Sequence, residues 1–393
     1  MSSYQNIVLG NIMASKLGSV NPSKFTKEIF DLYSIPAFDT GQPEVVYGEK
    51  IGSVKQIVQP GDVLLSKIVP HIRRAWIVGE NKTRRIIASG EWIVFRSDKI
   101  EPRYLRHFLV GDMFHAKFMQ TVSGVGGSLL RARPAHVANI EILLPPLEEQ
   151  KRIAEILDQA EELRRKRKEA IAQLDTLTQS IFIEMFGDPV KNPKKWNADK
   201  TLGEVADIVS GITKGRKLNG QSVREVPYLA VVNVQEHKLD LSVIKTIEAT
   251  ENEITRYRLE VNDLVLTEGG DPDKLGRGTI WKGELPECIH QNHIFRVRIN
   301  CNLIHPLFLI WLIGSQRGKK YFLKQAKQTT GIATINMTQL RGFSLLLPPL
   351  SLQQEFAQRV EAVEELKKSH HASLLELDAL FASLQHRAFK GEL

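Results

Sequence analysis

The chain has little cysteine, no long apolar run and no gathered metal-ligand pattern, and each scarcity closes off a class of function. Two cysteines in 393 residues, Cys288 and Cys301, cannot build a disulfide framework. Without histidines clustered around them they cannot supply a four-ligand zinc site either. A reducing compartment, the cytoplasm, is therefore expected. No apolar stretch approaches ~18 residues, and the opening MSSYQNIVLGNIMASK lacks the basic-then-apolar order of a secretory signal. Neither export nor a membrane span is expected. Catalytic signatures are scarce as well. No GxxxxGK[ST] phosphate loop occurs, since Gly124-Val125-Gly126-Gly127-Ser128 is followed by no lysine. Asp188-Pro189-Val190 and Asn192-Pro193-Lys194 lack the stacking aromatic of a DNA aminomethyltransferase loop. Asp62 with Glu80-Asn81-Lys82 is a distant echo of a metal-dependent nuclease site, of a kind common in unrelated chains. His290 and His293 precede a strand-like run, where a surface or core role suits them better than a shared metal.

What is present describes a folded, water-soluble protein: 42% apolar and 25% charged residues are near the average for globular domains. The length corresponds to about 2.6 domains at ~150 residues each, enough to bury at least two cores. The net charge of +8 suits a polyanion partner without requiring one. Its distribution is more telling. Residues 1–147 and 187–350 each carry +6, whereas residues 148–186 and 351–393 each carry −2.

That alternation reflects an internal repeat. LLPPLEEQKRI (143–153) recurs as LLPPLSLQQEF (346–356), and the offset of 203 then holds without a gap for about 45 residues, through Leu163 and Leu366 to Phe186 and Phe389. Upstream, GDVLLS (61–66) lies beside NDLVLT (262–267), and EPRYLRHFL (101–109) beside HPLFLIWLI (305–313). Each half reads as a basic block of mixed pattern followed by a long charged helix. Short β-type runs fall at Asp62–Leu65, Ala75–Val78, Trp92–Phe95, Tyr228–Val234 and His293–Ile299, with helix-like runs at 102–119 and 306–325. The fold class expected is mixed α+β: two pseudo-repeated α/β blocks, 1–147 and 187–350, separated by helices at 148–186 and 351–393.

The repeated tail is the clearest helix. Ile153, Ala160, Leu174 and Ile181 form one heptad column, and Ile156, Leu163, Ala170 and Leu177 a second. The other copy repeats the scheme with Phe356, Val363, Leu377 and Leu384, then Leu366 and Leu380. Both copies break the first column at one matching position, Arg167 and His370, where a polar group can fix the register of two paired helices. A solvated gap in each seam accounts for the break equally well. Gly187 with Pro189, and Gly391, mark the helix ends, and Ser351 with Gln354 offers a capping box. A 39-residue helix is ~58 Å long at 1.5 Å per residue, and its narrow seam needs a partner helix. The second copy supplies one, predicting an antiparallel coiled coil. The basic run Arg164-Arg165-Lys166-Arg167-Lys168 suits a solvated or partner-facing stretch better than a DNA-backbone contact.

Candidate nucleic-acid contacts follow the repeat. The stretch Ser123 to Arg133 combines glycines that permit close backbone approach with Ser128, a phosphate donor, and Arg131 and Arg133, which neutralise phosphates or read guanine edges. Its counterpart supplies Thr330, Thr334 and Asn336. Lys67, Arg73 and Arg74 follow the first repeated strand, and Lys274 and Arg277 the second. The duplicated PPL…Q…F frame offers Gln150, Ile153 and Phe186, then Gln353, Phe356 and Phe389, as contacts for a duplicated partner.

The motifs Pro145-Pro146-Leu147-Glu148-Glu149-Gln150 through Phe186-Gly187-Asp188-Pro189, and Pro348-Pro349-Leu350 through Phe389-Lys390-Gly391-Glu392-Leu393, resemble the central and C-terminal conserved helices of type I restriction-modification specificity subunits. Trp196 followed by LGEVADIVSGIT (202–213) is similar to the opening of that family's target recognition domains. Residues 1–60 depart from the pattern, with only Leu9-Gly10 echoing Leu202-Gly203. The resemblance implies two target recognition domains that each read one half of a split site in double-stranded DNA, with the helices as spacer. It implies two modification subunits carrying S-adenosylmethionine, restriction subunits carrying ATP and Mg chemistry, and no cofactor or catalysis on this chain. Two other classes stand beside it: a coiled-coil scaffold without DNA readout, and a stand-alone nuclease or methyltransferase domain.

Overall fold

The computed structural model describes residues 4–80, 83–124, 130–218, 220–272, 275–329 and 331–393. The chain forms two compact units: Met1–Ala170 with His370–Leu393, and Ile171–Ser369. Each unit therefore holds one basic block, half of its own long helix and half of the other. Among the described residues no helix is long and apolar enough to cross a membrane.

In the first unit, the strands Ala75–Ile77, Val63–Ser66 and Trp92–Phe95 form an antiparallel sheet in that order. A five-stranded mixed sheet runs Ser19–Val20, Lys55–Ile57, Arg85–Ala88, Ile29–Tyr33, Glu44–Tyr47, with Ile29–Tyr33 parallel to Arg85–Ala88. Gln5–Val8 pairs with Glu141–Leu144, the strand that leads into the first long helix. The second unit repeats the central sheet with one added strand, Ala206–Ser210, Ile294–Ile299, Leu264–Thr267, Gly278–Ile280. It also holds the sheets Lys245–Ala249, Arg224–Leu229, Ile289–His290 and Gly269–Gly270, Ile332–Thr334, Lys327–Thr329, and the pair Val234–Gln235, Lys238–Leu239. The expected strand across Tyr228–Val234 is instead a strand ending at Leu229 and a 3-10 turn Val231–Asn233. The buried Asn233 side chain stops it, accepting from Ala230 N at 2.8 Å and donating to the carbonyls of Asp240 and Val243.

Both helix-like runs are broken at equivalent places. Pro102–Val110 and Asp112–Met119 meet at Gly111, and Pro306–Gly314 and Gln316–Gln325 meet at Ser315, each junction residue being extended. A Cβ on Gly111 would come within 3.2 Å of the Phe108 carbonyl and 3.3 Å of the Gln385 amide carbon, a crowding glycine avoids. The weak echo of Leu9-Gly10 in Leu202-Gly203 is structural: Leu9 N donates to Ile140 O at 2.8 Å and Leu202 N to Phe343 O at 2.9 Å.

The long helices span Leu147–Phe186 and Leu350–Lys390. Ser351 thus lies inside its helix and does not form the expected cap. Both helices stop at a left-handed glycine, Gly187 and Gly391, each with φ of 78°. Their halves pair antiparallel in each unit, through Arg164–Asp378 at 2.6 Å and Arg167–His370 at 3.0 Å in the first, and through Lys367–Asp175 at 2.8 Å and Phe182 against Phe356 in the second. The first heptad column lies inward. The second does not: Leu163, Leu177, Leu366 and Leu380 are 44–53% exposed. Ala154, Leu157, Phe182, Met185 and Phe186 are buried instead, because each helix also packs on a block and spends its apolar face there.

Candidate nucleic-acid interface

The long helix of each unit is clasped to its block by one buried glutamine. Gln150 Oε1 accepts from Glu101 N at 2.8 Å, and its Nε2 donates to Lys99 O at 3.1 Å and Pro145 O at 2.8 Å. Gln353 repeats this with His305 N at 2.8 Å, Leu303 O at 3.1 Å and Pro348 O at 2.8 Å. The Pro-Pro turn leaves carbonyls that the helix cannot satisfy, and one amide three residues into the helix satisfies them. A second buried device holds each central sheet. Asp62 accepts two bonds from Arg96 at 2.7 and 2.6 Å and one from Gln59 N; Asp263 accepts two from Arg298, both at 2.7 Å, and one from Glu260 N. Asp62 is thereby a structural anion rather than part of a nuclease site; Asn81 and Lys82 lie outside the described residues.

The six side chains expected to meet a partner are turned inward. Gln150, Ile153, Phe186, Gln353, Phe356 and Phe389 are all buried in the chain's own cores, so the PPL…Q…F frame repeats because it fastens helix to block. The apolar residues left outward along the helices include the four leucines of the second column, with Ile183 and Leu375 also exposed. The run 164–168 is largely committed within the chain: Arg164 pairs with Asp378 and lies 4.5 Å over the Phe381 ring, Arg165 with Glu162 and Glu169, Lys166 with Glu162, and Arg167 with His370.

Several of the expected DNA contacts converge where the central strands end. Beyond Ser66 and Trp92 the next pair is Lys67 and Glu91, with Lys67 N donating to Glu91 O at 3.0 Å. Lys67 Nζ lies 3.9 Å from Glu91 Oε2, and Arg131 Nη2 donates to Glu91 Oε1 at 3.2 Å. Arg133 donates to Ser123 Oγ at 2.9 Å. Arg74 and Arg73 sit on the same return, Arg74 making two 3.2 Å bonds to Asp39, and Arg73 bound to the Val110 carbonyl and Asp112. In the second unit Arg277 reaches Gln235 at 3.4 Å while its buried Nε has no hydrogen-bond partner among the described residues. Asn336 serves as an N-cap, exchanging bonds with Gln339 at 2.8 and 2.9 Å, and Thr334 pairs with Gly269 and Lys327. Ser128, Lys274 and Thr330 lie outside the described residues.

Sequence reasoning missed two groups here. Glu91 and Glu268 are carboxylates, and a search for cations passes over them; yet each sits at the strand end, Glu268 2.6 Å from His293 Nδ1. His293 and His290 diverge. His290 is buried and its Nδ1 donates to Ile294 O at 2.9 Å, and burial pushes its pKa down to about 4. A third histidine, His107, is buried against the first helix with Nε2 2.7 Å from Asp158, its pKa also lowered, chiefly by burial. The donor atoms of His107, Asp158 and Glu161 lie within 4.8 Å of one another. Arg103 and Arg106 already pair with those two carboxylates at 3.2 and 2.7 Å, so this cluster docks helix to block as an ion-pair network.

The same two-block arrangement is found in known proteins. The chain is 26% identical over 310 residues to the type I restriction enzyme StySPI specificity subunit of Salmonella potsdam, covering 75% of this chain and 66% of that protein. It is 25% identical over 322 residues to the EcoKI specificity subunit of Escherichia coli K12, covering 76% and 68%. The chain thus spans about two thirds of the length of these relatives. Among solved structures, a chain from work on complex assembly and conformational transition of the type I R-M system aligns over 99% of this chain and 98% of its own, with a TM-score of 0.64 at 20% identity. The type I restriction-modification S subunit from M. genitalium aligns over 99% and 96%, with a TM-score of 0.56 at 12% identity. At those identities the likeness concerns the fold. The family profile for the type I restriction modification DNA specificity domain matches residues 21–173 and 193–378, one match for each block and most of its helix, and the chain belongs to that family.

Proposed function

We propose that this chain is the DNA-specificity subunit of a type I restriction-modification complex, each block reading one half of a bipartite, asymmetric site in double-stranded DNA. The observation that carries this reading is the duplication itself. Two blocks share their buried devices, Gln150 and Gln353, Asp62 with Arg96 and Asp263 with Arg298, while their surfaces differ, as two readers of different sequences on one scaffold must. The helices set the spacer between half-sites. Two copies of one modification subunit dock on the duplicated leucine face, Leu163 and Leu380 in the first unit and Leu177 and Leu366 in the second. In this reading S-adenosylmethionine belongs to the modification subunits, ATP and Mg to restriction subunits, and this chain supplies recognition without catalysis. Mapping methylated positions in cells with and without the gene tests it. A gene-dependent motif of two defined halves around an undefined spacer is expected; methyl transfer or cleavage by the purified chain alone would make it an enzyme instead. A scaffold without DNA readout would show no steep fall of log K with log salt in DNA binding.

A further inference from the structure

The two strand ends share a backbone and differ in chemistry. Ser66 and Thr267 are buried at equivalent positions, and their amides donate to equivalent partners: Ser66 N to Arg74 O at 3.0 Å, Thr267 N to Arg277 O at 2.9 Å. One residue on, Lys67 N donates to Glu91 O and Glu268 N to His293 O, both at 3.0 Å. The third segment joins identically, Ala132 N to Lys67 O at 2.8 Å and Ile335 N to Glu268 O at 2.9 Å. This framework makes Lys67, Glu91 and Arg131 the counterparts of Glu268, His293 and Thr334.

Around these positions the framework residues agree between the units: buried hydroxyl for buried hydroxyl at 66 and 267, arginine for arginine at 74 and 277, and the same Asp–Arg pair beneath the sheet. At the three positions nothing agrees. The first unit presents two cations gripping one carboxylate, the second a carboxylate, an imidazole and a hydroxyl. The side chains are partly exposed, 26% and 31% for Lys67 and Glu91 and 56% and 31% for His293 and Glu268, so they reach solvent while their ion partners orient them. A duplicated reader of two different half-sites has to keep its scaffold and change its reading groups, and the sign reversal at positions 67 and 268 is a change of that kind. Cations suit the O6 and N7 acceptors of guanine, whereas a carboxylate accepts from an exocyclic amine.

Resting on the function proposed above, we infer that these strand ends are the base-reading positions: Lys67 and Arg131, oriented by Glu91, read the acceptor edge of guanine, and Glu268, oriented by His293, reads the exocyclic amine of cytosine or adenine.

The test is methylation-motif mapping on a random DNA library with the chain assembled with its modification subunits. The first variant, Lys67→Glu with Glu91→His and Arg131→Thr, carries the second unit's residues in the first. It should change one or two base pairs of one half-site and leave the other half and the spacer as they were. Glu268→Gln, which keeps shape and removes charge, should lower base discrimination at one position of the other half-site about tenfold, the order of one good base contact. Affinity for unrelated DNA should stay within a few-fold in Glu268→Gln. If the triple variant does not assemble, Glu268→Gln decides alone. Unchanged motifs in an assembled variant would overturn the assignment while leaving bipartite reading intact. A single undivided motif from the unaltered complex would instead remove the proposed function itself.

Discussion

At the residue scale the most consequential side chains are two glutamines and one histidine. Replacing Gln150 by alanine leaves Glu101 N, Lys99 O and Pro145 O without their partner in a buried site. The expected loss is about 2–4 kcal/mol, read as a lower denaturant midpoint, and Gln353→Ala should cost a similar amount in the other unit. A loss below ~0.5 kcal/mol in either would mean that the clasp is incidental. His290 makes a prediction about pH. Its pKa of about 4 in the folded chain lies below its ordinary 6.5, so the unfolded chain binds the extra proton first. The contribution is therefore full above pH 6.5 and is lost as pH falls toward 4, by about 3 kcal/mol in all. Chemical denaturation at pH 7 and pH 5 should show a smaller difference for His290→Gln than for the unaltered protein. Equal differences would contradict the account of the buried imidazole.

At the scale of elements, periodicity located the helices, and short apolar runs bounded by turn residues located the fully buried strands Val63–Ser66 and Trp92–Phe95 nearly to the residue. It also singled out Arg167 and His370, which meet each other at 3.0 Å. It did not show which heptad column lies inward, since a helix packed on both a block and another helix has two apolar neighbours and one pattern. Nor did it reveal the role of Gln150, two of whose three partners lie some 50 residues away in sequence, or the five-stranded sheet of the first unit, whose strands are two to five residues long and ordered by distant pairing. At the candidate site the cations were legible and their carboxylate partners were not, because pairing is a tertiary fact. Two expectations follow for the helices. Arg167→Leu with His370→Leu should raise the melting temperature, since an apolar pair in the seam replaces a half-buried polar one, and the double variant melting below both single variants would contradict this. Leu163→Ser with Leu380→Ser should leave chain stability within ~0.5 kcal/mol, as both are about half exposed. The same change should reduce the modification subunits bound per chain from two to one by native mass; two copies still bound would place docking elsewhere.

At the scale of the whole molecule, the proposed function makes the two long helices a ruler between two readers. Inserting four residues near Ala170 adds about one turn, ~6 Å of helix, and restores nearly the same rotational face. The half-sites should stay unchanged while the spacer lengthens by one or two base pairs. Two added residues rotate the downstream seam by about 200° and should abolish assembly. The most direct measurement of the central claim is methylome sequencing after residues 187–350 are exchanged for the matching block of another member of the family. The account predicts that one half of the methylated motif changes and the other half is kept base for base. If both halves change together, the two blocks are a single reading unit, and the division of labour between them is wrong.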